Sequence, residues 1–286
     1  MATHSHIDIL RQGVAVWNDW RAQHPQVVPV CAGADFRQAD LTGANLSHAD
    51  LRGALLQSAT LTEADLRHAE LHWARLRRAD LRGATLEDTT LTGADFQHAD
   101  MTGADLRRAL LVQADFRETI LHKVNLEGMH CPGANYARAE LEGANLRFAD
   151  LRGATFNWAN LRGANLFGAN LTAASLIGAD LCGANLHSAV LHRASLSGAD
   201  CAGAALHLAN LSHADLSWAV LDRAHLISTN LSHAHLTGTC FQDADIQGIN
   251  LSGADLRWAD LDETFLHHAD LTDTNLLGTF LHTLGL

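Results

Sequence analysis

Ala34-Asp35-Phe36-Arg37-Gln38, Ala39-Asp40-Leu41-Thr42-Gly43, Ala44-Asn45-Leu46-Ser47-His48, Ala49-Asp50-Leu51-Arg52-Gly53: these four five-residue blocks set a register that never slips. Counting the central residue of each block from Phe36 to Leu281 gives 50 repeats without insertion or deletion. The centre is Leu in 40 of them and otherwise Phe, Met, Cys, Tyr or Ile. The residue two before the centre is Ala in 40, and the residue just before it is Asp or Asn in 29. Repeats of this regularity mark an array rather than a globular domain.

A period of five fits neither ordinary element. Five residues of α-helix turn through about 500°, so successive leucines would wander around the axis instead of lining a face. On a continuous strand an odd period would send alternate leucines to opposite sides. The glycines indicate what the backbone does instead. Twenty of 22 occupy one slot, two residues after the centre, and only Gly13 and Gly285 lie elsewhere. Glycine confined to one phase marks a corner that wants positive φ, and Pro132-Gly133 supplies the pair a type II turn prefers. Each block therefore reads as a short extended stretch followed by a corner.

The motif Ala-(Asp/Asn)-Leu-x-x resembles the pentapeptide-repeat family. The resemblance implies an all-β fold, a right-handed quadrilateral parallel β-helix (a solenoid) in which four corners close each coil. Fifty repeats would then make about 12.5 coils, roughly 60 Å at the usual spacing between strands. One large and one small side chain per block would fill the core. Three segments follow: 1–30 as an N-terminal helix cap and lead-in, 31–283 as the β-helix, and 284–286 as a tail. The stretch from Thr119 to Pro132 departs most from the consensus, with Val124 and Met129 in the small slot, and is expected to widen or bend its coil.

A solenoid has to cover its open core. Ser5 and Asp8 form a capping-box variant, Ile7, Leu10, Val14 and Trp17 share helical spacing, and Pro25 bars continuation. One amphipathic helix over 5–22 is expected. At the other end, Leu276, Leu277, Phe280, Leu281, Leu284 and Leu286 make an apolar terminus without charge. It serves either as a last coil closing on itself or as an end-to-end homodimer contact, an arrangement that several members of the resembling family use. A monomeric mass by light scattering at micromolar concentration would exclude the dimer.

Composition removes several function classes. No apolar run approaches the roughly 18 residues of a membrane span. The opening Met1-Ala2-Thr3-His4-Ser5-His6 has no basic segment leading into an apolar core, so no secretory signal is expected and a cytoplasmic location is the default. A net charge of −12 argues against direct nucleic-acid binding. The five cysteines, Cys31, Cys131, Cys182, Cys201 and Cys240, are odd in number and scattered, which suits neither a disulfide framework nor a zinc site. No phosphate loop or nucleophile elbow occurs. Nineteen histidines include His48/His68, His187/His207 and His213/His233, pairs twenty residues apart that would stack on one face, but two imidazoles do not close a metal site. No catalytic residue, metal or cofactor is assigned, and the chain is not expected to be an enzyme.

Two features go beyond what the repeat requires. Residues 165–286 carry 12 acidic and 3 basic side chains, including the extra acids Asp222, Asp243, Asp262, Glu263 and Asp273. Trp158, Trp218 and Trp258 share one phase of a twenty-residue cycle, so they fall on one face beside a corner, where they either anchor a partner or pack over Gly178, Gly198 and Gly238. The expectation is a protein-binding scaffold with rigid faces and an unidentified protein partner. The alternative, which the family resemblance implies, is a bacterial acidic DNA mimic that binds DNA gyrase or topoisomerase IV and protects it from quinolones or peptide toxins. The acidic second half fits that alternative. The absence of loops and of a C-terminal helix departs from it.

Overall fold

The computed structural model describes residues 5–261 and 268–280. The chain divides into two compact units, Met1–Glu140 and Leu141–Leu286. In each unit the same rule holds. The residue before the core centre forms a parallel bridge with its counterpart twenty residues on, as in Asp65↔Thr85 in the first unit and Asn165↔Asn185 in the second. Four repeats therefore complete one coil of a β-helix within each unit. The bridges are isolated ones, so a continuous strand is absent among the described residues. This refines the expected extended stretches: with a corner every five residues, only one residue per block keeps strand pairing on both sides.

One block shows how the backbone is satisfied. Ala64 donates its N–H to the Leu61 carbonyl at 3.0 Å, closing the corner. Asp65 donates to Ala44 of the preceding coil at 3.0 Å, and Leu66 to Thr85 of the next at 2.8 Å. His68 donates to Glu87 at 3.1 Å. The fifth amide, on Arg67, reaches the Asp65 side-chain Oδ1 at 3.1 Å. The recurrent Asp or Asn is thus an acceptor for the amide that the coil ladder leaves over, an Asx turn repeated along the chain. Thr42 on Asp40, Ser47 on Asn45 and Thr172 on Asn170 repeat the contact.

The corner slot lies near φ +60° whether or not it holds glycine: Gly163 at 60°, Arg193 at 58° and Trp218 at 62°. The central and small slots form the core. Leu46, Ala44, Leu186 and Ala184 are fully buried. Where Thr replaces Ala, its buried hydroxyl donates to a carbonyl 23 residues back, as Thr119 does to Phe96 at 2.8 Å and Thr229 to Leu206 at 2.7 Å.

The chain on either side of the irregular stretch carries an aromatic column. Phe96, Phe116 and Tyr136 stack with centroids 4.9 and 4.7 Å apart. The buried Tyr136 hydroxyl lies 3.4 Å from Cys131 Sγ, and the small Cys131 in a leucine slot leaves room for the longer phenol. The corner bonds of Val124 and Met129 lengthen to 3.3 Å where 3.0 Å is common, as bulkier side chains in the small slot would require, and that of the following Ala134 is also 3.3 Å.

The single helix expected over 5–22 is two helices, α1 (His6–Leu10) and α2 (Val14–Gln23). Gly13, at φ 113°, lies outside helical space and separates them. Ser5 caps α1, accepting from the Asp8 N–H at 3.2 Å. Leu10 and Trp17 are buried, whereas Ile7 and Val14 are only half-buried.

Candidate protein-interaction surface

The tryptophans separate by position. Trp17 and Trp20 belong to α2; the other four, Trp73, Trp158, Trp218 and Trp258, all occupy the positive-φ corner slot. In every one of the four, a glycine stands one coil further on, and the indole lies where that glycine's side chain would project. A Cβ on Gly93 would fall 2.1 Å from Trp73, and one on Gly178, Gly238 or Gly278 within 2.7 Å of Trp158, Trp218 or Trp258. Phe148 sits over Gly168 in the same way. The packing and the exposure therefore coexist. Trp158, Trp218 and Trp258 cover glycines, yet stay 64%, 66% and 56% exposed. Gly198, which the sequence offered as a third covered glycine, has nothing within 4 Å of its Cβ position, because each ring reaches forward by one coil only.

The acidic positions of the second unit have different neighbours. Asp222 accepts from the Gln242 N–H at 3.1 Å, and Asp243 lies 3.7 Å from Arg223. Both line an open, shallow depression of about 540 Å³ floored by Gly183, Ala202 and Gly203. Asp273 is exposed at a corner with φ 56°. Asp262 and Glu263 lie outside the described residues. At the C-terminal end Leu276, Leu277 and Phe280 are exposed, Phe280 bridging Asp260, while Leu281, Leu284 and Leu286 lie outside the described residues.

Much of the carboxylate charge is matched within its own repeat. Arg37, Arg52, Arg67, Arg82 and Arg117 in the first unit, and Arg152 and Arg257 in the second, each pair with the Asp two residues before them at 2.6–2.7 Å. The hydrogen bond from Arg37, with lesser help from its charge, holds Asp35 down at about 2. Asp200, Asp215 and Asp245 have no such Arg or Lys partner among the described residues.

Sequence reasoning missed one cluster. Asp180, Cys182 and Asp200 bring three potential ligand atoms within 4.8 Å of one another. The signal was available, because Asp200 follows Asp180 by one coil and Cys182 sits at the position where Arg usually pairs with Asp. Partial burial, then hydrogen bonds to Asp200 and Asp180, push the Cys182 thiol up to about 12, so it is a protonated donor rather than a nucleophile. Arg162, 3.1 Å from Asp180, adds a positive charge that opposes a cation there. The histidine pairs stack as their spacing implied: His48 on His68 at 4.7 Å and His213 on His233 at 4.9 Å, while His187 meets His207 edge-on at 6.1 Å. Burial, then the neighbouring imidazoles, lowers His207 and His213.

Eight copies of the pentapeptide-repeat profile match the chain, beginning at residues 31–57 and ending at 249–282. The chain belongs to the pentapeptide-repeat family. Among solved structures, this pentapeptide-repeat protein is similar to HetL of the cyanobacterium Nostoc sp. strain PCC 7120, involved in heterocyst differentiation regulation. Identity is 32%, coverage 81% of this chain and 89% of HetL, and the TM-score 0.30. It is also similar to QnrB1, a plasmid-mediated fluoroquinolone resistance protein: 19% identity, 61% of this chain, 90% of QnrB1, TM-score 0.33. A thylakoid-lumen pentapeptide-repeat protein of Arabidopsis thaliana matches at 26% identity over 46% of this chain and 70% of its own, TM-score 0.22. No curated protein matches. Among the described residues of this pentapeptide-repeat protein, no helix is long and apolar enough to cross a membrane.

Proposed function

We propose that this protein is a non-enzymatic scaffold whose outer surface binds a protein partner. The observation that carries the reading is the corner column of Trp158, Trp218 and Trp258. These are large apolar side chains, more than half exposed, held in left-handed backbone where a bulky residue is costly. Exposed indoles in line are the side chains that dominate protein interfaces. A filled core and a shallow surface leave little room for a substrate pocket, which favours display over catalysis. Affinity capture from host extract tests the reading. A partner retained by the wild type and by Trp73→Gly but lost by the triple Trp158→Gly, Trp218→Gly, Trp258→Gly variant is expected. Identical capture by all three proteins would sink it.

The carboxylates of the second unit favour a second reading, a DNA mimic that occupies the basic DNA-binding surface of gyrase or topoisomerase IV. Asp200, Asp215 and Asp245 have no arginine ion pair among the described residues, and such a potential steers basic partners. Protection of gyrase supercoiling from a fluoroquinolone, lost on charge reversal at Asp222, Asp243 and Asp262 and weakening with salt, is the expected result. No effect at low ionic strength rules the reading out. The exposed Leu276, Leu277 and Phe280 are the proposed contact for a homodimer.

A further inference from the structure

Trp218 and Trp258 are two coils apart in one corner column of the second unit, which places their rings about 9.6 Å apart at the usual inter-strand spacing. A polyproline II helix repeats every three residues, about 9.3 Å. The match puts one turn of such a helix, laid along the column, in register with both indoles. An extended strand does not fit as well, because its same-side residues recur near 6.8 Å. Proline-rich segments are recognised by exposed aromatic rings, and their stiffness lowers the entropy lost on docking.

The column has further features that suit this ligand. Gly198 is an open notch, with the Trp158 ring resting on Gly178 on one side and Trp218 following on the other. Ile177, 37% exposed, precedes Gly178 in the chain and adds an apolar side chain to the same block. The two faces that meet at this corner carry Asp215 and Asp200, which lack an Arg or Lys ion pair among the described residues, and the second unit as a whole has 14 acidic against 6 basic side chains. A partner on this surface is therefore apolar where it meets the rings and cationic beside them.

We infer that the Trp158–Trp218–Trp258 corner is a docking site for a proline-rich segment carrying arginine or lysine, bound as a polyproline II helix. Prolines three apart stack on the Trp218 and Trp258 rings, and flanking cations meet Asp200 and Asp215. The assignment rests on the scaffold reading and names its partner class.

The test is a fluorescence-anisotropy titration of the full chain with a labelled peptide of repeated Arg-Pro-Pro units, against an Arg-Ala-Ala peptide of equal length. Saturable binding at least about tenfold tighter than that of the alanine peptide is expected. Trp218→Gly and Trp258→Gly should each weaken it by about tenfold or more, and Trp73→Gly should leave it unchanged. Glycine is the usual occupant of this corner slot, so these variants remove the ring while keeping the backbone, and unchanged thermal melting confirms that they fold. Equal binding of the alanine peptide would overturn the assignment, as would indifference to Trp218→Gly or binding of a neutral β-glucan in preference to the peptide. Failure here alongside Trp-dependent capture from extract would discard the partner class and leave the scaffold reading standing.

Discussion

Among the described residues, the second residue after each core centre lies near φ +60° whatever its side chain, so the backbone, not the residue, sets that conformation. Non-glycine residues pay roughly 1–2 kcal/mol in this region, and twenty glycines in the slot reflect that cost. Where Trp or Phe occupies it instead, glycine stands one coil further on, because the ring needs the space of the missing Cβ. Gly178 and Gly198 separate the two effects. Gly198→Ala meets open space and should cost about 1 kcal/mol of backbone strain alone. Gly178→Ala adds a Cβ 2.4 Å from the Trp158 ring, so it should melt lower than Gly198→Ala and shift the indole emission. Equal melting and unchanged emission would mean that the ring does not rest on Gly178. The corner slot and the core slots were legible in the sequence because each repeats fifty times. The Trp–Gly coupling was only half legible: the phase of Trp158, Trp218 and Trp258 pointed to one corner, but the direction in which each ring leans depends on the rotamer, which no periodicity encodes.

The α2 helix stands in for the coil that would precede the first one. Inside the array, the carbonyl before a core centre accepts from the preceding coil, as Asp65 does from Leu46 at 2.7 Å. Asn45 has no such neighbour, and the Trp17 indole donates to its carbonyl at 2.8 Å. Asn18 supplies both halves of another missing rung, donating to Gly43 at 3.0 Å and accepting from the Asn45 N–H at 2.9 Å. Arg21 donates to the Ser47 carbonyl at 3.0 Å. Partial burial lowers the Arg21 guanidinium, with the Asp65 charge acting against the shift. Trp17→Ala removes a fully buried ring and orphans the Asn45 carbonyl; a loss of about 3–5 kcal/mol is expected, read as a lower melting midpoint and faster amide exchange in the first coil. Exchange and melting unchanged from wild type would remove the capping role. The existence of a helical cap could be read from Leu10 and Trp17. Its break at Gly13 was visible but unread, because glycine inside a short amphipathic pattern is tolerated often enough not to end a helix by itself.

At the scale of the molecule, charge separates the two units: residues 1–140 are net −4 and residues 141–286 net −8. The difference comes from arginine rather than from acid, since the first unit pairs its repeat aspartates with arginines two residues on and the second mostly does not. Arg67, Glu87 and Arg107 follow one another at twenty-residue steps, the spacing at which side chains of adjacent coils can pair. Within the first unit Arg107 does approach Glu87, at 3.6 Å, but Arg67 and Arg107 make their shorter contacts, 2.7 Å each, with the aspartates of their own repeats. Partner identity was not legible, because the same outward positions serve solubility and recognition with the same residue types. What the outward positions are depends on one quantity, the twenty-residue coil.

That quantity can be measured by disulfide trapping in a background with Cys182 and Cys240 replaced by Ser. Ser175 and Ser195 form a bridging pair in adjacent coils, so their Cα atoms fall within the range of about 4.4–6.8 Å that a disulfide spans. Ser175→Cys with Ser195→Cys should close on mild oxidation, and Ser175→Cys with Val190→Cys, fifteen residues apart, should stay reduced. Closure of the fifteen-residue pair in place of the twenty-residue pair would mean a three-sided coil and would contradict every outward assignment made for this protein.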